Sequence, residues 1–274
     1  MNKGLFDCHA HTYRSHDSEC LPRTLCEAAV QKGLAGLAVT NHCDLHICKT
    51  ADVFSPLIAS DRDVTSLRPE FADRLYLMSG VEIGEGILFP EETQKVYKLA
   101  DWDVVLGSVH VIRYPKQFLP YSVMNLAEFT DEELSELMYC YFTDLEETVD
   151  TVDMDVLCHL TCPMRYIVGK FGRTLDLSVF SGQIETILRK VIDADIALEV
   201  NTSGLGTPFG LPMPDADILR RYRDMGGRKL TIGADTHTPQ RAANGFDEVL
   251  PLLQSLGFDT LYRYEKRTAI PYSI

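Results

Sequence analysis

The chain has 274 residues, a formal net charge of −14, 45% hydrophobic residues and 24% charged ones, the composition of a folded globular protein rather than a disordered one. So large an acidic surplus argues against a general nucleic-acid binder, which needs Lys and Arg in excess to hold a phosphate backbone; an anionic substrate would need bound cations to reverse the field locally. No run of about eighteen apolar residues is present to cross a membrane and the first residues lack the apolar centre of a signal peptide, so the expectation is a cytoplasmic protein folded as one domain over residues 1–274.

Apolar β-rich runs alternate with amphipathic ones. A first strand is expected over 3–8, then a helix over 22–32 with Pro22 near its start and Gly33 past its end. A second strand over 34–39 runs into His42, and residues 43–69 are expected to be a loop with some helix. The third strand, 75–82, ends in Glu82; a helix over 91–100 leads to the fourth, 103–109, followed by His110. Thr130 and Glu133 form a capping-box pattern that opens a long helix over 130–149. The fifth strand, 155–159, ends in His159. A helix over 178–194 precedes the sixth strand, 196–200, which is followed by Asn201. A helix over 214–225 precedes the seventh strand, 229–234, which is followed by Asp235 and His237; a helix over 246–256 and a short strand over 258–264 close the chain.

Strands alternating with helices predict parallel βα units, hence an open doubly wound sheet or a barrel. The polar residues decide between them. His9 and His11, His42, Glu82, His110, His159, Asn201, and Asp235 with His237 each fall at the C-terminal end of a different strand. An open sheet gathers only a few neighbouring strand ends at its switch point, whereas a barrel brings all of them around one mouth. Of the eight histidines only His16 and His46 lie elsewhere. His9-x-His11 alone is weak evidence for a metal, but imidazoles and carboxylates converging from seven strands are the donor set of a metal centre. They exceed what one tetrahedral ion needs, so two to three divalent ions are expected, with zinc, iron and manganese all compatible. The eight cysteines are scattered and read as thiols in a reducing compartment. Cys158 and Cys162 flank His159 without the second pair a structural zinc site needs.

His9-x-His11, Asp17, His42, Glu82, His110, His159 and Asp235-x-His237, in that order, resemble the polymerase and histidinol phosphatase (PHP) superfamily. Residues 107–110, 159–166, 198–205 and 233–237 are similar to its histidinol-phosphatase branch. The resemblance spans nearly the whole chain. It implies an α/β fold, a distorted (β/α)7 TIM-like barrel with the metal site at the C-terminal ends of the strands. It also implies three metal positions: His9, His11, Glu82 and Asp235 at the first; Glu82 again, with His110 and His159, at the second; Asp17, His42 and His237 at the third. Spacing alone leaves His16 or Asp17 as the ligand, and the family pattern favours Asp17. His46 has no counterpart and reads as a loop residue, with a substrate contact from that loop as the alternative.

The implied activity is hydrolysis of L-histidinol phosphate to L-histidinol and phosphate in histidine biosynthesis; the alternative is a related phosphoesterase for another small phosphate, a nucleotide or a sugar phosphate. A water shared by two dications is a hydroxide near neutral pH, so the implied catalytic group is a metal-bound hydroxide held by Glu82, Asp235 and His110. No nucleophile elbow and no Walker motif is present. Arg165 is the expected phosphate clamp, since a guanidinium fork matches two oxygens. Gly206 stands where the branch commonly carries a second basic residue, and Arg113 is the expected substitute. Asn201 is a third expected substrate contact. Asp44, Glu85 and residues near Tyr114 are candidates for recognising the rest of the substrate. The expected partner is a small phosphorylated molecule, with no nucleic acid or membrane. A metal-binding module without turnover and a C–N hydrolase are the weaker readings.

Overall fold

In a computed structural model, which describes residues 4–274, seven strands lie side by side in sequence order. They are β1 (Phe6–Asp7), β2 (Gly36–Asp44), β3 (Tyr76–Gly84), β4 (Val104–Ser108), β5 (Val156–Leu157), β6 (Ala197–Asn201) and β7 (Leu230–Gly233), and every neighbouring pair is parallel. The expected start of the first strand, Lys3, lies outside the described residues. The sheet curls round until β7 meets β1. The Cys8 amide donates to the Ile232 carbonyl at 2.9 Å, Asp235 N–H to His9 O at 2.8 Å, and His11 N–H to Thr236 O at 2.8 Å. Closure is thus made largely by the two segments that carry His9, His11, Asp235 and His237, which fixes these side chains against one another by backbone hydrogen bonds.

The inner face of the barrel is narrow and filled with slim apolar side chains: Cys8, Ala38, Met78, Val104, Leu106, Val156, Cys158 and Ala197 form one cluster. Its floor is closed by the antiparallel hairpin of β8 (Thr260–Glu265) and β9 (Thr268–Ser273), from which Tyr264 joins that cluster and donates to Asp155 O at 2.8 Å. Among the described residues this leaves the C-terminal end of the barrel open to a ligand. Outside the strands lie the helices α1 (Pro22–Gln31), α2 (Phe54–Phe71), α3 (Pro90–Val96), α4 (Asp131–Thr151), α5 (Ser181–Asp193), α6 (Ala216–Asp224) and α7 (Phe246–Ser255). The capping box at the head of α4 is formed in both directions, Glu133 N–H to Thr130 Oγ1 and Thr130 N–H to Glu133 Oε2. No described helix is long and apolar enough to cross a membrane.

Residues 43–69 correct the expectation of an irregular stretch, because most of it is α2. Its buried positions, Leu57, Ser60, Val64 and Phe71, keep helical spacing, but Ser60 breaks the apolar stripe. That serine accepts a hydrogen bond from Asn41 Nδ2 at 2.7 Å, so a polar contact replaces an apolar one on the buried face. The second strand also runs further than expected, to Asp44, since its polar end faces the mouth and not solvent. A π-helical turn, Arg165–Lys170, and strand β9 are additions that periodicity did not reveal.

Candidate metal centre

His9 and His11 flank Ala10, which bridges Thr236 beyond the end of β1, and their Nε2 atoms meet at 3.0 Å in the mouth. In the β2–β3 ladder His42 stands beside Glu82, and both point inward at one level. His110, His159, Asp235 and His237 follow β4, β5 and β7 within a few residues, and Asp17 reaches in from the loop after β1. His159 and Asp235 adopt left-handed backbone, at φ 27° and 49°. A non-glycine residue held there costs about 1–3 kcal/mol and persists only where its surroundings fix it. Here the His159 amide is held by Glu199 Oε2 at 2.8 Å and the Asp235 amide by His9 O.

Ligand atoms around a tetrahedral ion with bonds of 2.0–2.2 Å lie about 3.3–3.6 Å apart. His9 Nε2 is 3.0 Å from His11 Nε2, 3.3 Å from Glu82 Oε2 and 3.7 Å from Asp235 Oδ1. His11 Nε2 is 3.6 Å from Glu82 Oε2 and 3.3 Å from Asp235 Oδ1. Four donor atoms therefore ring one point. The other Glu82 oxygen, Oε1, lies 2.8 Å from His159 Nε2 and 3.2 Å from His110 Nε2, so this carboxylate faces two donor groups at once. At the outer edge Asp17 Oδ2 is 3.1 Å from His237 Nε2 and 3.6 Å from His42 Nε2. His16 instead sits exposed at the rim of the mouth, with Nδ1 3.5 Å from Asp44 Oδ2 and its ring 5.6 Å from that of His42.

The remaining imidazole nitrogens are mostly committed, which fixes the tautomer a metal-facing nitrogen needs. His9 Nδ1 meets Glu199 Oε1 at 2.7 Å, His11 Nδ1 meets Ser15 Oγ at 3.0 Å, His110 Nδ1 meets Asp44 Oδ1 at 2.9 Å, and His237 Nδ1 meets the Asp235 carbonyl at 3.0 Å. Two glycines make room for this shell. A Cβ at Gly233 would sit 2.3 Å from Glu199 Oε1, and one at Gly84 would sit 2.9 Å from Asp44 Oδ1. Glu199 and Ser15 were not singled out from the sequence. Alternation along 197–201 carried a signal for Glu199, since Ala197, Glu199 and Asn201 share a face of β6.

Burial alone would raise the Glu82 carboxyl, but His42, His9 and His110 around it hold it well below the usual carboxylate range. Asp235 is lowered in the same way, burial being outweighed by His9, His11, His237 and Arg165. Burial and the neighbouring His42 and His237 push His11 well down, towards the neutral ring that ligates metal. His9 goes up despite burial, because Glu199, Glu82 and Asp235 surround it; a cation entering the ring would displace its proton. Glu82 Oε2 and His42 Nδ1 lie 2.8 Å apart at an angle that forms no hydrogen bond, and neither atom, nor His237 Nε2, has a hydrogen-bond partner although all are buried. Unsatisfied donors and acceptors clustered at coordination spacing fit divalent metal.

Above the cluster opens a cavity of about 280 Å³. Arg165 lines it. Its Nη1 donates to Ser203 Oγ at 2.5 Å and lies 3.4 Å from Asp235 Oδ2, and its Nη2 donates to Tyr166 Oη at 3.0 Å. Arg113 is a correction to the expected clamp: it is not among the lining residues, and its guanidinium is taken by Asp144 at 2.5 Å and Glu147 at 2.5 Å. Asn201 is a second correction. Fully buried below the cavity, it donates to Glu199 Oε2 at 3.1 Å and accepts from Ser203 Oγ at 2.6 Å, so it braces the residues that touch Arg165 and His9. Tyr114 packs on Phe129 away from the cavity, whereas Pro120, Tyr121, Ser122 and Val123 of the same loop line it. Asp44 and Glu85 are not free either: Asp44 serves His110, and Glu85 accepts from the amides of His110 at 2.8 Å and Val111 at 2.9 Å.

Comparison with known proteins agrees with this geometry. A sequence model of the PHP domain matches residues 7–203. A probable histidinol-phosphatase of Clostridium acetobutylicum is 26% identical over 96% of this chain and 98% of its own length. A histidinol-phosphatase of Lactococcus lactis is 26% identical over 93% and 92%. Among solved structures, the histidinol phosphate phosphatase of Lactococcus lactis, in complex with zinc, L-histidinol and phosphate, superposes with a TM-score of 0.82 at 23% identity, covering 97% of this chain and 98% of that one. A putative histidinol phosphatase of Listeria monocytogenes gives 0.74 at 17% identity, over 89% and 99%. Both share the barrel.

Proposed function

The chain belongs to the PHP domain family, and from that premise we propose that it is a metal-dependent phosphomonoesterase that hydrolyses L-histidinol phosphate to L-histidinol and phosphate. The observation that carries this reading is the ring of His9, His11, Glu82 and Asp235 at 3.0–3.7 Å, whose Glu82 also faces His110 and His159, open to a cavity that holds Arg165. Relatives of nearly equal length that bear the name histidinol-phosphatase support the choice of substrate. Two to three divalent ions, zinc, iron or manganese, bound by His9, His11, Glu82, Asp235, His110, His159, Asp17, His42 and His237, would supply an activated water and neutralise phosphoryl charge.

The protein's own groups do the rest. Arg165, a guanidinium charged at every accessible pH, presents its fork to phosphoryl oxygens, a contact stronger than one between neutral groups. Ser203 and Tyr166 hold that fork in one orientation. Glu199, Ser15 and Asp44 keep His9, His11 and His110 aimed at the centre. All nine expected ligand residues converge on the one mouth, which argues against a module that has lost its chemistry. The free thiols fit a reducing compartment, and we assign the enzyme to the cytoplasm.

The test is phosphate release by metal-replete protein from L-histidinol phosphate beside a panel of nucleotide and sugar phosphates. The expected result is a kcat/KM for L-histidinol phosphate well above the others. Good turnover of another monoester with none of L-histidinol phosphate overturns the substrate assignment.

A further inference from the structure

His46 and Glu85 form a pair that the ligand shell leaves unused. His46 sits in a short 3-10 turn, Leu45–Ile47, directly after β2, and its Nδ1 lies 2.9 Å from Glu85 Oε2. Glu85 follows β3 and is wholly buried, with Oε1 fixed by the His110 and Val111 amides. It holds left-handed backbone at φ 58°, so the chain bears strain to set this carboxylate there. The His46 side chain is 17% exposed and lines the metal cavity, and its Nε2 makes no hydrogen bond to the described residues. With Nδ1–H given to Glu85, Nε2 is the atom that faces the cavity.

Strand order separates two sides of the mouth. Arg165 follows β5 and Ser203 follows β6, while His46 and Glu85 follow β2 and β3. Ile47, next to His46, also lines the cavity and offers an apolar surface on that side to the carbon body of a leaving group. An alkoxide leaving group is a strong base and departs slowly without a proton.

We propose that His46, held by Glu85, is the proton donor to the leaving oxygen. As water oxygen bonds to phosphorus, the ester P–O bond breaks, its electron pair stays on the substrate oxygen, and the proton on His46 Nε2 passes to that oxygen to give the alcohol. The neutral imidazole takes a proton back from solvent. This inference rests on the phosphomonoesterase reading of the same cavity.

Glu85 foremost, with Asp44 at the end of β2, raises the imidazole against burial, and His110 beyond β4 opposes them. The donor is therefore present below the raised value and lost as pH rises through it, which predicts an alkaline limb in kcat. His46→Gln should lower kcat for L-histidinol phosphate by about 100-fold or more, yet change turnover of p-nitrophenyl phosphate by less than about tenfold, since nitrophenolate leaves without a proton. It should also flatten the alkaline limb, with metal content by elemental analysis and melting temperature unchanged. Glu85→Gln should move both the limb and the NMR titration of the His46 ring to lower pH, in metal-free as in loaded protein. An equal loss on both esters, an unchanged kcat for the alkyl ester, or an unmoved limb overturns the assignment. A parent protein that cleaves no monoester overturns the phosphatase reading instead, and this one falls with it.

Discussion

Replacing Glu199 by Gln tests whether the outer partner of His9 decides metal affinity. Glu199 Oε2 accepts from the His159 amide at 2.8 Å and from Asn201 Nδ2 at 3.1 Å, while Oε1 faces His9 Nδ1 at 2.7 Å. A glutamine of the same shape must keep its oxygen towards the two donors, so its NH2 points at His9. His9 Nδ1 then has to accept, the ring proton moves to Nε2, and the lone pair that faces His11, Glu82 and Asp235 is lost. Loss of such a partner costs about 10- to 100-fold in metal affinity, equal to about 1.4–2.7 kcal/mol. Competition against a chelator, read by elemental analysis, should show that drop at the ion His9 holds, with turnover falling in step and far-UV circular dichroism unchanged. Gly233→Ala should have the same effect by another route, since its Cβ would push Glu199 off His9. Metal affinity unchanged in Glu199→Gln would refute the tautomer argument.

Removing His9 and His11 together, as alanines, should abolish binding of one ion and nearly all turnover while the barrel still folds, as read by elemental analysis and circular dichroism. Chelation of the parent should lower its melting temperature by roughly 10 °C, because ligand at about a thousand times its Kd contributes about 4 kcal/mol, and added metal should restore it. Arg165→Lys keeps the charge but loses the fork that Ser203 and Tyr166 orient; kcat/KM should fall by about 10- to 150-fold, the worth of about 1.5–3 kcal/mol for a charged hydrogen bond. Burial pushes the Cys26 thiol up to about 12, so at pH 8 almost no thiolate exists and native protein should resist alkylation there. Mass spectrometry should find Cys26 modified only after unfolding or as pH approaches that value.

Chemistry in this chain is written locally, and so the sequence alone determined the donor set. Every ligand but Asp17 lies within a few residues of a strand end, and strand ends follow from apolar runs and their alternation. His9, His11, His42, Glu82, His110, His159, Asp235 and His237 were legible for that reason, and their number implied a barrel over an open sheet. Tertiary structure alone decided what those residues lean on. Glu199 looked like one more strand residue until β6 was laid beside β7 and Gly233 was seen to leave it room. Arg113 looked like a free cation until α4 brought Asp144 and Glu147 to it. Helix α2 was hidden because Ser60 faces Asn41, a pairing between residues that only folding brings together. Asp17 rather than His16 reaches both His42 and His237 because the loop after β1 brings its carboxylate between them and leaves His16 at the rim against Asp44. A ligand is recognised by its own chemistry, but its partner is recognised only by distance, and distance between strands is fixed by barrel closure, not by spacing along the chain.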